Sequence, residues 1–229
     1  MQHEIGSDRI PAPLVVIASV SWRDEWDQIQ ARLRQSLPVR EDPDLSAVLR
    51  LAADPDTTAT VIGAGKEPIR LYCALTQRNA VALAQMPGPA DESGGNVIVR
   101  TGTHTSVATW VARFAGDQPA GSAPPMSESV AALNTPTQAL GLDYGEVSTG
   151  DRIHDLLNAA RTGQGYIEVE RGRHHPDGPT RKHVSWFDVE NDGRYVYRYR
   201  HAELTVEPCS PTRFGNIVSR MVGSTVNSR

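Results

Sequence analysis

The stretch GYIEVERGRHHPDGPTRKHVSWFDVENDGRYVYRYRHAELTVEP, from Gly165 to Pro208, decides the fold. Four short runs within it, 166–171, 182–188, 194–200 and 203–207, alternate in polarity and are rich in β-branched and aromatic residues. A period of two puts successive side chains on opposite faces, so each run predicts a strand. Glu190-Asn191-Asp192-Gly193 predicts a tight turn between the second and third, because Asn and Gly tolerate positive φ. Ser210-Pro211 then starts a helix whose apolar stripe is Phe214, Ile217, Val218 and Met221. The chain beyond Gly223 is expected to be loose.

A weaker echo lies upstream. Pro11 to Ile17 predicts an extended lead-in. Ser21 predicts a helix cap, with Asp24 and Glu25 in the first turn and Trp22, Trp26, Ile29 and Leu33 on one face. Pro38 stops that helix, and Asp42-Pro43 starts another with the stripe Leu45, Val48, Leu49 and Ala52. Strands are predicted at 59–64, 69–76, 80–86 and 96–100, and a helix at 103–115 carries Val107, Trp110, Val111 and Phe114. Helices at 127–133 and 151–161 lead into the opening stretch.

The two series superimpose. Leu45, Val48, Leu49 and Ala52 map onto Ile153, Leu156, Leu157 and Ala160 at an offset of 108. Val97 and Val99 map onto Leu204 and Val206 at 107, and the stripe from Val107 to Phe114 maps onto Phe214 to Met221 at the same offset. Coincidence is the alternative, since the match is by residue class. Duplication is the reading adopted. The expected fold is α+β and pseudo-twofold, built from a repeated helix-helix-four-strand-helix unit. Residues 11–115 and 127–222 form its halves and 116–126 a linker. The two meanders join in one central antiparallel sheet flanked by helical bundles.

Composition narrows the function. The 229 residues are 39% hydrophobic, with no apolar run near the roughly 20 residues that cross a bilayer. No secretory signal opens the chain, and two cysteines, Cys73 and Cys209, are expected to pack as small apolar residues in a reduced cytosolic protein. Residues 1–163 carry 13 basic and 19 acidic side chains, and residues 164–229 carry 10 and 8. That asymmetry is too mild for a nucleic-acid footprint.

No catalytic constellation emerges. His174-His175 sits in a loop rich in Gly and Pro without further ligands at metal-binding spacing. Gly63-Ala64-Gly65-Lys66 lacks the ending of a phosphate loop and precedes a strand where a helix is required. No cofactor, no metal and no enzymatic activity are expected. The remaining candidate is a binding surface on the last sheet. Tyr195, Tyr197 and Tyr199 share one face at period two, and Arg194, Arg198 and Arg200 share the other. Tyr166 and Glu168 face away from Ile167, and Trp186 lies on the neighbouring strand. Tyr and Arg are the usual interface anchors. Tyr166, Glu168, Trp186, Arg194, Tyr195, Tyr197, Arg198 and Tyr199 are therefore the candidate partner-binding residues.

Several motifs resemble those of the EspG family, chaperones of type VII (ESX) secretion. They are Arg161-Thr162-Gly163-Gln164-Gly165-Tyr166 approaching a strand, Ser185-Trp186-Phe187-Asp188 followed by Asp192-Gly193-Arg194-Tyr195, and Leu204-Thr205-Val206-Glu207-Pro208 before the last helix. In the first half, Leu49-Arg50-Leu51-Ala52-Ala53-Asp54-Pro55 resembles the family's helix end. The resemblance implies a cytosolic, non-enzymatic protein that binds the apolar helical tip of the PPE subunit in a PE–PPE pair. It places the contact on the central sheet and the helices at 151–161 and 210–222. The chain resembles a shortened member, with the opening strand and helix reduced to 11–17 and a minimal loop at Gly65 to Pro68. A homodimeric adaptor of the same fold, associating through an open sheet edge, is the second reading. An enzyme using His183 or the His174-His175 loop is the third.

Overall fold

The computed structural model describes residues 10–16, 22–36, 42–90, 93–135 and 147–223. The first half runs α1 (Arg23–Ser36), α2 (Pro43–Ala53), β1 (Thr57–Ala64), β2 (Ile69–Leu75), β3 (Asn79–Pro87), β4 (Gly94–Thr103) and α3 (Ser106–Phe114). The second runs β5 (Met126–Ser129), α4 (Val130–Leu133), α5 (Thr149–Asn158), β6 (Arg161–Arg171), β7 (Thr180–Val189), β8 (Arg194–Arg200), β9 (Glu203–Pro208) and α6 (Pro211–Gly223). Asp42 caps α2 by accepting from the backbone of Asp44 and Leu45 at 3.0 Å each, and Asn191 takes the left-handed turn conformation at φ 60°. The Ser21 cap, the stop at Pro38 and the tail beyond Gly223 lie outside the described residues.

Among the described residues, nine strands form one antiparallel sheet in the order β4-β3-β2-β1-β6-β7-β8-β9-β5. The two meanders meet at β1 and β6, in a ladder from Thr57↔Arg171 to Ala64↔Gln164. The predicted helix at 127–133 is corrected. Its first half is β5, paired with β9 from Met126↔Val206 to Ser129↔Glu203, and its second half is the single turn α4. Without β5, β9 would be an unpaired edge; the partner lies 74 to 80 residues away, beyond the reach of local pattern.

One face of the sheet is covered along its length by α3 and α6, which pack on each other. Their buried stripes, Val107 and Val111 with Phe214, Val218 and Met221, meet Val61, Leu71, Cys73, Ala82, Ile167, Val184, Trp186 and Val196. Trp186 fits there because Gly63 and Gly165, paired directly opposite each other, leave the room. A Cβ on Gly165 would come within 2.4 Å of the indole, and one on Gly63 within 3.2 Å. The other face is covered at two places. α2 sits over β2 and β3, with Val48, Leu51 and Ala52 against Tyr72, Ala74, Val81 and Leu83. α5 and β5 close over Phe187, Tyr195, Leu204 and Val206. None of the described side chains of α1 is buried.

Arg194 joins these layers. Its guanidinium is fully buried and forms a bidentate pair with Asp188 of β7, at 2.7 and 2.9 Å. The same group donates to the backbone oxygens of Ala115, at 2.5 Å, and Gly116, at 3.0 Å, which are the free carbonyls at the C-terminus of α3. It also lies 4.7 Å over the Phe214 ring of α6. A cation at a helix C-terminus satisfies those carbonyls and opposes the negative end of the dipole. The backbone of Arg194 accepts from Gly121 and donates to Pro119, so residues 115–121 are held along β8. Tyr195 continues the clamp, accepting from the backbone of Ala123 at 2.9 Å and donating to Asp192 at 2.5 Å. Gly121 lets the tyrosine ring approach, since a Cβ there would sit 2.0 Å from it.

Two predictions follow from this packing. Arg194→Met leaves the Asp188 carboxylate buried and uncompensated, and is expected to cost about 3–5 kcal/mol in urea unfolding. The double variant Arg194→Met/Asp188→Leu should recover part of that loss, because no unpaired charge remains. Burial also raises both thiols, Cys73 to about 12 and Cys209 to about 11. Neither should react with Ellman's reagent at pH 8 until the protein unfolds; fast labelling of the native state would contradict this packing.

Candidate partner-binding face

Between the two covered patches no described helix lies over the sheet. Strand alternation and register place Ile62 of β1, Tyr166 of β6, Ser185 of β7 and Tyr197 of β8 side by side in one row across this face. The next row along the strands holds Thr60, Glu168 and His183. From β1 to β8 the floor is roughly 14 Å wide, three interstrand spacings. α2 rises on one side and α5 on the other. The result is a shallow trough with one row that is largely aromatic and apolar and a polar row beside it.

The aromatic content is continuous with the core beneath α5. Tyr195 stacks on Phe187 at 5.5 Å, Phe187 meets Tyr197 at 5.9 Å, and Tyr197 meets Tyr199 edge-on at 6.2 Å. Burial falls steadily along that chain. Tyr195 is wholly buried, Tyr197 half-buried, and Tyr199 is 55% exposed. Tyr166 is 40% exposed. Arg161 lies 4.8 Å over the Phe187 ring and donates to the Leu157 carbonyl near the end of α5, so the wall of the trough is fixed to its floor. On the opposite side, the Tyr72 hydroxyl donates to the Ala52 carbonyl of α2 at 3.0 Å, and burial pushes its pKa up to about 12. The lower rim is polar, with Arg181 and Glu170 in a 2.8 Å ion pair.

Four of the eight candidate residues, Tyr166, Glu168, Tyr197 and Tyr199, are together on this face. The other four are corrected. Trp186 and Arg194 are each 1% exposed and Tyr195 is wholly buried, so none of them presents a surface. Alternation failed at the start of β8 because both of its faces are covered, one by α6 and the other by α5 and β5. Arg198 is half-buried on the helix-covered side, in a cleft against α6. Ile62 and Ser185 were missed. Ile62 belongs to the first half and enters the trough only through the β1–β6 ladder, so the signal was the joining of the two meanders rather than any local motif.

Two of the histidines make surface contacts. His174 pairs with Asp54 at 3.0 Å on the surface, and His154 contacts the Leu133 carbonyl at 2.8 Å. Among the described residues no group of three or more His, Cys, Asp or Glu side chains is placed to hold a metal ion. No described helix is long and apolar enough to cross a membrane.

No curated protein sequence matches the chain significantly. Among solved structures, it is similar to the Mycobacterium tuberculosis type VII secretion system chaperone EspG5, solved in complex with a PE25-PPE41 dimer. The likeness has a TM-score of 0.59 at 14% identity and covers 87% of this chain and 84% of that one, so the fold is shared. The model of the EspG family matches residues 1–220, nearly the whole sequence. The chain belongs to the EspG family.

Proposed function

We propose that this protein is a non-enzymatic, cytosolic chaperone of type VII secretion that holds the helical tip of a PPE protein, within a PE–PPE pair, in the trough of the sheet. The observation that carries this reading is the largely aromatic row of the floor between α2 and α5. A helix with its side chains is about 10–12 Å across, which fits a floor roughly 14 Å wide. Ile62, Tyr166, Tyr197 and Tyr199 give an apolar helix end somewhere to bury its surface. Covering such an end keeps a substrate from aggregating before export. Family membership and the likeness to EspG5, itself solved with PE25-PPE41, support the choice of partner.

Co-expression with PE–PPE pairs of the same genome is expected to yield a soluble ternary complex. The double variant Tyr166→Ala/Tyr199→Ala should lose it while melting at an unchanged temperature, because truncating a central aromatic anchor costs about 2 kcal/mol or more. Co-purification at the wild-type level would overturn the assignment of the trough, and failure of every pair would overturn the chaperone reading.

A second reading rests on the opposite edge. β4 is a ten-residue edge strand whose Val97, Ile98 and Val99 are 40%, 40% and 48% exposed. Antiparallel pairing with a second copy about Ile98 would set Val97 against Val99 and Asn96 against Arg100, with no like charges opposed. On this reading the protein is a homodimer that Ile98→Lys dissociates. Its mass in solution, before and after that substitution, decides.

A further inference from the structure

The cleft that holds Arg198 has no role in the trough. It opens on the helix-covered side of the sheet, between the ends of β8 and β9 and the first turns of α6, and encloses about 460 Å³. Arg198, Arg213 and Arg220 line it with the Ser210 and Thr212 hydroxyls and the Asn216 amide. A second cleft of about 550 Å³ shares Arg198, Arg220 and Ile217 with the first. It adds Arg181, Lys182 and Arg200 and reaches Tyr199 and His183 at the rim of the trough. The two make one bent groove.

Charge in this groove is segregated far beyond the chain's average. The whole protein carries 27 acidic and 23 basic side chains, yet six cations line the groove and its one lining carboxylate is Glu207. Glu207 is already engaged by Arg213 at 2.6 Å, and Arg181 by Glu170 outside the groove. Arg198 differs from both. Half-buried at the junction of the clefts, its side chain has no hydrogen bond or ion pair among the described residues, and its guanidinium pKa is lowered by burial and by the nearby charges of Arg200 and Arg213, against the pull of Glu207. Gathering cations around a desolvated arginine is unfavourable in the free protein. An oxyanion reverses that cost, and a carboxylate matches the guanidinium fork in two parallel hydrogen bonds. The floor between the cations is apolar, formed by Ile217 and Met221.

We infer that this groove binds an extended acidic peptide segment, with one carboxylate on Arg198 and apolar side chains over Ile217 and Met221. The groove's length favours a peptide over a lone ion. Its central arginine, Arg198, is half-buried while the other cations stand exposed around it, which favours a narrow chain over a duplex or a membrane plane. The inference stands apart from the trough reading, since it concerns the other side of the sheet and does not need a PE–PPE partner.

The test uses the full chain and a fluorescein-labelled twelve-residue peptide of alternating Glu and Leu, followed by anisotropy. The peptide should bind, and affinity should fall steeply between 50 mM and 500 mM salt. Arg198→Gln should weaken it tenfold or more, and so should Asn216→Glu, which puts a carboxylate into the cleft from an exposed position on α6. Arg100→Gln on the distant edge β4 should leave binding unchanged. Equal binding by wild type and both groove variants would overturn the inference. So would displacement by inorganic phosphate at the peptide's own concentration, or binding to phosphatidylglycerol vesicles as tight as to the peptide and equally lost in Arg198→Gln.

Discussion

The buried pair of Arg194 and Asp188 is the constraint on which the rest of the structure depends. Arg194 is required by Asp188 of its own hairpin, by the open carbonyl end of α3 in the first half, and by the Phe214 ring of α6. A charge this deeply buried survives only when it is paired, and here its four hydrogen bonds reach a neighbouring strand and the end of α3 while its face lies over a ring of α6. The segment joining the halves is pinned by the same residue through its backbone. Both meanders are thereby fixed in one frame, and the β1–β6 ladder has a defined register rather than a sliding one.

That frame explains why part of the sheet carries no described helix. With α3 and α6 committed to one side, the described residues that cover the other are α2 with Leu14, and the α5–β5 unit. They cover its flanks, and no described helix lies over β1, β6 and β7 between them. The aromatic run from Tyr195 to Tyr199 passes from core to surface without a break, so a partner seated there would extend an existing core instead of nucleating a new contact. A sheet floor moves little, and a preformed site spends less of its binding energy on ordering.

Much of this was legible in the sequence. The second meander, the α3 and α6 stripes and the Asn191 turn follow from period and turn chemistry, and the α+β class follows from their order. Half of the candidate residues, Tyr166, Glu168, Tyr197 and Tyr199, carry the period-two pattern of one strand face, and the register sets them together there. What failed did so for one physical reason. Trp186, Arg194 and Tyr195 occur where the sheet is covered on both sides, and there the polarity of a side chain no longer tells inside from outside. Arg194 looks like a surface arginine until Asp188 and the end of α3 are placed beside it. β5 and Ile62 depend on partners in distant sequence, which no local window contains.

Site-specific photo-crosslinking tests the central claim most directly. A benzoylphenylalanine placed at Tyr199, in the trough, and another at Thr109, exposed on α3 of the covered side, would be irradiated in the presence of a PE–PPE pair. The account predicts a crosslink from position 199 to the PPE subunit and none from position 109. A crosslink from 109 with none from 199 would contradict it.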